Sequence, residues 1–496
     1  ELASQAGIDI LKQGGNAIDA AIAMGFALSV VHPGAGNIGG GGFMVIRLAD
    51  GRVTTIDFRE VAPSGAYRDM FLDDSLNVID GKSWNTSWAA GVPGSVAGFG
   101  MAHNKFGSTK WEELVRPASQ LATLGFPLDF QNLSYLNLPY YHSYLSYDPE
   151  TEKIFTKSEP FDLYEIFYQI DLGKTLQRIA EFGWQEFYTG KTADMIEKCM
   201  QRTDGLITKD DLKHYRPVER QPVSFHYRGY EIHAMPPASS GGVAVAGILN
   251  QLENIQIDSL EYHSAQHIHY VSEAERRVYA DRAEFMGDMD FVPVPIAKLI
   301  SDEYAFDRWS TVDSLRATSS ADISHGDIPF SYMESEETTH YSVVDKWGNA
   351  VSVTTTINGW FGNGIVVDDV GFLLNNEMND FSEKPGVPNA YGLIGNTANS
   401  VEPGKRMLSS MSPTIVENPE GDLYLIIGSP GGSTIITTTA QIIMNVIDFG
   451  MDIEDAVEIP RFHHQWFPDM IQIEDQGFSS DTIHALKVRG HDIKIR

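Results

Sequence analysis

The chain has 496 residues, of which 42% are hydrophobic and 21% charged, an ordinary composition for a globular protein. Its 36 lysines and arginines against 67 aspartates and glutamates give a formal net charge of −31, which disfavours binding to nucleic-acid phosphates or anionic membranes and fits a solvated acidic surface. The single cysteine, Cys199, excludes an intramolecular disulfide and a cysteine-based zinc site, and no apolar run reaches the roughly 18 residues that span a bilayer.

The part of the chain before residue 330 predicts mostly helix. Asn16 is a typical helix N-cap and follows a helix-ending glycine pair, Gly14-Gly15. Asp50-Gly51 is a hairpin signal between two β-rich runs. The predicted elements are helices over 3–13 and from Asn16 to about Val31, strands over 43–48, 52–57 and 230–234, and a helix from Val243.

Beyond residue 338 the chain becomes rich in strands. The predicted elements are strands over 338–345, 350–356 and 423–427, and a helix from Thr434 to about Phe449. The first two strands form a hairpin in which Asp345 is expected to pair with Ala350. That register would set Thr356 and Asn358 beside Thr338.

Thr338 stands at the start of a predicted strand, directly after the acidic run 334–337. A self-cleaving N-terminal nucleophile has this arrangement. Cutting the bond between Glu337 and Thr338 would give the threonine a free α-amine, which can act as the general base for its own hydroxyl. A threonine that simply enters a strand is the alternative interpretation.

Two glycine runs predict different things because their neighbouring elements differ. Residues 34–39 match the Gly-x-Gly-x-x-Gly pattern of dinucleotide-binding sites. That fingerprint follows a strand and opens a helix, whereas here a helix precedes the run and a strand follows it. Close passage of the backbone by a site or another strand is the preferred interpretation. Residues 428–433 have the right order of strand, glycine turn and helix, so their N–H groups could hold an anion or a developing oxyanion, or the turn could be structural.

Histidine spacing gives weaker signals. His263 and His267 have the i, i+4 spacing of a helical metal pair, but the segment also fits an amphipathic helix, which we prefer. The adjacent His463-His464 cannot face one ion from a regular element and are interpreted as structural. No Gly-x-Ser-x-Gly motif is present, which disfavours a hydrolase with a nucleophile elbow.

Three polar groups together suit an α-amino acid ligand. Arg59 follows a predicted strand, Ser409-Ser410 follow a basic pair, and the loop 375–380 combines amides with carboxylates. Arginine and hydroxyl groups bind a carboxylate, while carboxylates and amides bind an ammonium group.

Taken in order, seven motifs resemble those of the γ-glutamyltranspeptidase family of N-terminal nucleophile hydrolases, and the likeness covers nearly all of the chain. The motifs are Gly39-Gly40-Gly41-Gly42-Phe43, Asp57-Phe58-Arg59-Glu60, Thr338-Thr339-His340-Tyr341-Ser342, Leu373-Leu374-Asn375-Asn376, Ser409-Ser410-Met411-Ser412-Pro413-Thr414, Gly428-Ser429-Pro430-Gly431-Gly432-Ser433 and Pro460-Arg461-Phe462-His463-His464-Gln465.

The resemblance implies an α/β (α+β) fold, a four-layer αββα sandwich, made as one precursor that cuts itself. Residues 1–337 would form the large subunit and 338–496 the small subunit, and both would build one intertwined domain. No cofactor and no metal are expected. Family members are usually exported, so a periplasmic or secreted location with a removed signal peptide is expected, and segments usual for the family before and after these residues are cut or missing.

The resemblance also implies residue roles. Thr338 would be the nucleophile and the residue at which the chain cuts itself after Glu337, with its hydroxyl supported by Thr356. The remaining roles are the α-carboxylate contacts Arg59, Ser409 and Ser410, the α-amine contacts Asn358, Glu377 and Asp380, the oxyanion-hole amides of Gly431 and Gly432, and a lid loop Pro385–Asn396 that carries Tyr391. Position 377 varies between Glu and Gln in the family.

The expected activity is that of a γ-glutamyltransferase and hydrolase. It would act on glutathione and other γ-glutamyl compounds and pass the γ-glutamyl group to water, amino acids or peptides. One alternative is an acylase of the same fold acting on glutaryl-cephalosporins, which would leave Glu377 and Asp380 unexplained. A second alternative is a non-catalytic protein that binds an anion or nucleotide at 428–433.

Overall fold

The computed structural model describes residues 1–324, 338–390 and 392–496. These residues form 18 α-helices and 14 β-strands, joined by loops and short 3₁₀ turns. The helices are α1 (Leu2–Lys12), α2 (Ala17–Val31), α3 (Ser95–Phe106), α4 (Trp111–Leu124), α5 (Phe130–Leu136), α6 (Pro139–Leu145), α7 (Pro149–Phe155), α8 (Ile170–Phe182), α9 (Glu186–Thr189), α10 (Lys191–Thr203), α11 (Lys209–His214), α12 (Gly241–Leu252), α13 (Ala265–Phe285), α14 (Ile296–Leu299), α15 (Asp302–Trp309), α16 (Ile435–Ile447), α17 (Ile453–Glu458) and α18 (Ser480–Val488). The strands are β1 (Gly41–Arg47), β2 (Val53–Asp57), β3 (Phe126–Pro127), β4 (Ile166–Phe167), β5 (Val218–Arg220), β6 (Val223–Tyr227), β7 (Tyr230–Ala234), β8 (Thr339–Val344), β9 (Ala350–Thr356), β10 (Thr414–Glu417), β11 (Leu423–Ile427), β12 (Phe462–His463), β13 (Ile471–Ile473) and β14 (Ile493–Ile495). None of the described helices combines the length and the apolar character needed to cross a membrane.

The chain divides into two compact units, and each takes residues from both sides of position 338. The first unit comprises Glu1–Gln221, Glu337–Glu383 and Val401–Met407. The second unit comprises Pro222–Glu336, Lys384–Ser400 and Leu408–Arg496. The expected large and small segments, 1–337 and 338–496, therefore both contribute to each unit, while their assembly into a single intertwined domain stays a prediction.

The first unit contains a five-stranded antiparallel sheet in the order β5-β2-β1-β9-β8. Helix α2 is buried on nearly all sides, which explains why its sequence is apolar over its whole length. Its N-terminus carries the predicted cap, because Asn16 accepts a hydrogen bond from Asp19 N–H at 2.9 Å and Asp19 accepts one from Asn16 N–H at 3.0 Å. The predicted helix pair and the β1–β2 hairpin are confirmed to within two residues at each end.

The glycine run 34–39 permits close backbone packing, as the sequence interpretation preferred. A Cβ atom built on Gly36 would lie 2.3 Å from the carbonyl oxygen of Leu28, and one built on Gly39 would lie 2.1 Å from that of Leu373. A Cβ atom built on Gly40 would lie 2.1 Å from the carbonyl oxygen of Thr356. One built on Gly41 would lie 2.6 Å from a carboxylate oxygen of Glu60. A side chain at Gly40 would therefore displace β9, and one at Gly41 would displace both the Phe58 carbonyl, at 2.5 Å, and the Glu60 carboxylate.

The β8–β9 hairpin is present, but its predicted register is wrong by one residue. Val344 pairs with Ala350, so Thr339 faces Thr355. Asp345 belongs to the turn instead of the strand, because its carboxylate accepts hydrogen bonds from the backbone N–H groups of Trp347 and Asn349 at 2.9 and 3.0 Å. The second strand, 350–356, is confirmed as predicted.

The second unit contains a four-stranded antiparallel sheet in the order β11-β10-β7-β6 and a three-stranded sheet in the order β12-β13-β14. Helices α12, α13 and α16 pack their apolar faces around a core that includes one face of the four-stranded sheet. The predicted strand over 423–427 is confirmed, and the helix predicted from Thr434 begins at Ile435 after a 3₁₀ turn over Gly432–Thr434.

The prediction of a single strand between residues 60 and 330 is wrong. Besides β7, the structure has β3, β4, β5 and β6 in this range. Strand β6 shows the buried–exposed alternation of a half-buried strand and joins β7 through Arg228-Gly229, where both residues have positive φ, 51° and 86°. That alternation was the signal in the sequence, but the turn lacks the usual Asn or Asp before its glycine.

Asp345 also links the hairpin to α2, and this link generates a stability prediction. In addition to its turn contacts, its buried carboxylate accepts the Ala17 N–H at 3.0 Å, at the first turn of the helix. Asp345→Ala leaves these donors without an acceptor, so we expect a loss of about 2–4 kcal/mol in the free energy of unfolding. Urea unfolding of the purified protein measures it.

The matched control for Asp345 is Asp50→Ala. Asp50 also accepts a backbone N–H within a hairpin turn, that of Arg52 at 3.1 Å, but it is exposed and contacts no helix. We expect its effect on the free energy of unfolding to be small beside that of Asp345→Ala, because its turn contact is fully exposed to solvent. Equal losses in the two variants would contradict the structural role assigned to Asp345.

Candidate active site

Thr338 lies in the first unit, directly before β8, and is 7% exposed. The observed register, carried one residue further, sets it opposite Thr356 at the end of β9. The Thr356 hydroxyl oxygen accepts the Asn358 N–H at 2.9 Å, so its own proton remains available to donate to another group. The predicted neighbourhood of Thr338, Thr356 and Asn358 thus survives the corrected register.

Two adjacent asparagines hold the loop that carries Glu377. Asn375 donates to the carbonyl oxygens of Gly39 and Gly91, both at 2.8 Å, and accepts the Glu377 N–H at 3.1 Å. Asn376 accepts hydrogen bonds from Gly359 N–H through its side chain at 2.8 Å and from the Asn358 side chain through its carbonyl at 2.9 Å. The sequence interpretation treated these amides as ligand groups, whereas the structure uses them to position Asn358 and Glu377.

A fully buried arginine forms the charged centre of the first unit. Arg59 Nη1 lies 2.5 Å from a Glu377 carboxylate oxygen and 3.7 Å from a Glu60 oxygen, while Nη2 pairs with Asp380. Its Nε donates to the Met407 carbonyl at 3.3 Å, and its own carbonyl accepts the Tyr215 hydroxyl at 2.9 Å. The structure therefore brings together three of the predicted substrate-binding residues, Arg59, Glu377 and Asp380.

Glu60 is the member of this cluster that the sequence interpretation missed. One guanidinium faces three carboxylates, and no described residue donates a hydrogen bond to the Glu60 side chain. Burial raises the pKa of Glu60 to about 8, although Arg59 opposes the shift. Burial also raises the pKa of Glu377 well above its usual range, again against the effect of Arg59. The signal in the sequence was the position of Glu60 beside Arg59 at the end of a strand.

Asp57 balances a separate pair of cations behind this centre. One oxygen accepts a hydrogen bond from Arg220 Nε at 2.9 Å, and the other lies 3.2 Å from Arg406 Nε. Arg406, one of the basic pair that precedes the serines in the sequence, thus forms an ion pair with Asp57.

The serine pair lies in the second unit, where both side chains are nearly buried. Ser409 Oγ accepts the Met411 N–H at 3.1 Å, and Ser410 Oγ accepts a hydrogen bond from Arg282 Nη2 at 3.2 Å. The backbone of Ser409 is held by Ala238 and Ser240, through N–H to carbonyl bonds of 2.9 and 2.8 Å.

The glycine turn of the second unit has the conformation that its sequence suggests. Gly431 and Gly432 have φ of 127° and 52°, and a Cβ on Gly431 would lie 2.5 Å from Thr434 Oγ1. The Gly431 carbonyl accepts both the N–H and the hydroxyl of Thr434, at 2.9 and 2.8 Å. Within the described residues, neither glycine N–H donates a hydrogen bond, so both donors are available to an anion.

The segment predicted as a lid belongs to the second unit and is internally bonded. Gly386 N–H donates to Gly395 O at 2.9 Å and Asn389 N–H to Leu393 O at 3.1 Å, while Asn396 binds Glu284 at 2.8 Å. Tyr391, predicted to bind substrate, and Glu337, predicted to precede the cleavage site, lie outside the described residues.

The surroundings of both histidine pairs fit the structural role that the sequence interpretation preferred. His263 precedes α13 instead of lying on it, and its ring stacks on Phe478 at 4.6 Å between centroids. Burial lowers the pKa of His267 to about 3. His463 and His464 are buried, and each has its own hydrogen-bond partners, including Thr437 Oγ1 for His463 at 2.9 Å and Arg276 Nη2 for His464 at 2.9 Å.

Comparison with known proteins gives consistent results. A profile of the γ-glutamyltranspeptidase family matches residues 3–496. The glutathione hydrolase proenzyme of Escherichia coli (strain K12) is 49% identical over 497 residues, covering 100% of this chain and 84% of that protein. The crystal structure of Helicobacter pylori γ-glutamyltranspeptidase is 45% identical with a TM-score of 0.63, covering 65% of this chain and 93% of the other. The crystal structure of cephalosporin acylase from Bacillus halodurans is 26% identical with a TM-score of 0.84, covering 100% of this chain and 87% of the acylase chain.

The mixed helices and antiparallel sheets, together with these structural neighbours, define the class as an N-terminal nucleophile hydrolase, which confirms the predicted fold class. Within that class, the chain belongs to the γ-glutamyltranspeptidase family. It is therefore an enzyme, and the resemblance recognised from its motifs is confirmed.

The raised pKa of Glu60 predicts a pH-dependent stability. Its pKa is about 8 in the folded protein and 4.5 as the reference for the unfolded chain. Between these values the folded protein binds the extra proton, so stability falls as pH rises from about 5 to 8. Glu60→Gln removes this titration, so we expect the stability of the variant relative to wild type to improve progressively over that interval.

Melting temperatures of the ligand-free protein, measured in steps from pH 5 to 8.5, test this expectation. Glu112→Gln, an exposed glutamate on α4, is the control and should follow wild type at every pH. A constant difference between Glu60→Gln and wild type across the range would show that Glu60 does not titrate there.

Proposed function

We propose that this chain is a γ-glutamyltransferase and glutathione hydrolase in which Thr338 is the nucleophile. The observation that carries the proposal is the buried cluster of one arginine and three carboxylates, Arg59 with Glu60, Glu377 and Asp380. A buried cluster that combines one cation with several carboxyl groups suits a ligand that brings both an ammonium and a carboxylate on one carbon. The high identity to a glutathione hydrolase supports glutathione as a substrate.

In this proposal the α-ammonium of the γ-glutamyl group binds Glu377, Asp380 and Asn358. Arg59, Ser409 and Ser410 contact the α-carboxylate. The bound zwitterion adds no net charge, but its ammonium supplies the hydrogen-bond donors that the buried acids need. The lid loop 385–396, with Tyr391, would border the acceptor.

The proposed reaction has two steps. The α-amine of Thr338, freed by cleavage after Glu337, takes the hydroxyl proton as Oγ attacks the γ-carbonyl carbon. The tetrahedral intermediate collapses with transfer of that proton to the leaving nitrogen, giving the γ-glutamyl ester and a free amine, which is cysteinylglycine from glutathione. Water or an acceptor amine then attacks the ester and regenerates the Thr338 hydroxyl.

The oxyanion of each tetrahedral intermediate would be held by the backbone N–H groups of Gly431 and Gly432. Their lack of acceptors within the described residues and the positive φ of both glycines support this role. Thr356 would donate its free hydroxyl proton to Thr338 Oγ. The proposed reaction needs no cofactor. The segments 1–337 and 338–496 would be the two subunits. A periplasmic or secreted location rests on the family resemblance alone.

Self-cleavage is tested by Thr338→Ala. We expect this variant to remain a single chain without activity, because the attacking hydroxyl is absent. Wild type should give two fragments on a denaturing gel, the smaller one beginning Thr-Thr-His-Tyr by N-terminal sequencing. Thr339→Ala is the matched control, one residue along in the same sequence, and should be processed. Normal processing of Thr338→Ala would refute the nucleophile assignment.

Substrate choice is tested with two amides that differ by one group. Glutaryl p-nitroanilide lacks only the ammonium of γ-glutamyl p-nitroanilide. Asp380→Asn should lower kcat/KM for the γ-glutamyl amide by about tenfold to a thousandfold, because it removes one partner of a desolvated charge pair. The glutaryl amide, with no ammonium to bind, should lose far less. The acylase alternative predicts that wild type prefers the glutaryl amide, and that result would reject the proposed function.

A further inference from the structure

Arg282 lies in the last turn of α13, is only 4% exposed, and contacts Ser410, one of the two proposed carboxylate-binding serines. Its Nη2 donates to Ser410 Oγ at 3.2 Å, and its Nε donates to Ser240 Oγ at 2.8 Å. All three residues belong to the second unit. Neither the sequence motifs nor the proposed reaction gives Arg282 a role.

The direction of these hydrogen bonds is fixed by chemistry. A guanidinium only donates, so Ser410 Oγ and Ser240 Oγ must both accept from Arg282. The Ser240 hydroxyl then donates to the Ser409 carbonyl at 2.7 Å, next to the Ser240 N–H, which donates to the same oxygen at 2.8 Å. One cation therefore orients Ser410 directly and holds the backbone of Ser409 through Ser240.

Both serine hydroxyls are left with a proton to donate. Ser409 Oγ accepts the Met411 N–H and Ser410 Oγ accepts from Arg282, and within the described residues neither oxygen has a further partner. A pair of hydroxyl donors backed by a buried positive charge suits a carboxylate, which only accepts hydrogen bonds when ionised.

We propose that Arg282 is a positioning residue for the α-carboxylate of the γ-glutamyl substrate. It holds Ser410 as a hydrogen-bond acceptor, so that the hydroxyl proton points to the carboxylate, and it fixes Ser409 through Ser240. The inference rests on the proposed function and deepens it. Arg282 does not touch the substrate, so its effect should be confined to recognition of one group.

The test uses two analogues that each lack one group of the substrate. Glutaryl p-nitroanilide keeps the carboxylate and lacks the ammonium, whereas 4-aminobutyryl p-nitroanilide keeps the ammonium and lacks the carboxylate. The measured quantities are the KM and kcat for γ-glutamyl p-nitroanilide and the inhibition constants of both analogues against that reaction, for the processed two-chain enzyme.

Arg282→Gln should raise KM for the γ-glutamyl amide and the inhibition constant of the glutaryl analogue by about tenfold, a change of roughly 1.4 kcal/mol. The kcat and the inhibition constant of the 4-aminobutyryl analogue should change by less than about twofold. Ser240→Ala removes the hydroxyl that joins Arg282 Nε to the Ser409 carbonyl and keeps the contact between Arg282 and Ser410. It should give the same pattern with a smaller change, and it is the deciding variant if Arg282→Gln does not fold.

The control is Arg308→Gln, a neighbouring partly buried arginine that pairs with Asp281 at 3.0 Å and makes no contact with the serine pair. It should lower the melting temperature without changing either inhibition constant. A variant of Arg282 or Ser240 that weakens both analogues equally, or neither, overturns the inference. If wild type itself does not distinguish γ-glutamyl from 4-aminobutyryl amides, the proposed function fails instead.

Discussion

The need to compensate one buried cation organises the first unit. Arg59 has no contact with solvent, and a buried charge costs several kcal/mol unless it is paired. Three carboxylates surround it, whereas the neighbouring Asp57 is already neutralised by Arg220 and Arg406. The ion pairs of the described residues thus set three carboxyl groups around one guanidinium. Burial accordingly raises the pKa values of Glu60 and Glu377, which disfavours their ionised forms.

This charged centre explains why separate motifs of the sequence belong together. Gly41 has no side chain, which leaves room for the Glu60 carboxylate beside it. Asn375 bonds to Gly39, Gly91 and the Glu377 N–H, so a single amide joins the glycine run to the acidic loop. These glycines and asparagines therefore support Arg59 and the acidic residues around it. Substitutions at these positions are expected to act on the site by changing its geometry instead of by direct contact with a ligand.

Local signals predicted the elements that depend on neighbouring residues. Asn16 and its capping box mark the start of α2, and the β-branched run over 350–356 and the apolar run over 423–427 mark two strands without error. The failures have equally specific causes. The β6–β7 turn uses an arginine at φ 51°, which no turn rule anticipates, and the β8–β9 register depends on Asp345, whose carboxylate also binds a helix N-terminus 328 residues away in sequence. Such a distant contact leaves no periodic trace in the local pattern.

The candidate site likewise has a part that the sequence predicted and a part that it did not. Residue types that suit an amino acid could be recognised one motif at a time, and the family resemblance supplied their roles. The pairing of Arg59 with Asp380 spans 321 positions, so its geometry is a property of the fold. Glu60 was missed because a glutamate beside an arginine is usually a solvent-exposed neighbour, and only burial turns it into part of a charge cluster. Arg282 was missed for a related reason, since an arginine near a helix C-terminus normally offsets the helix dipole. Its burial against two serine hydroxyls instead turns the same charge into an orienting group, which is the difference that a sequence pattern does not encode.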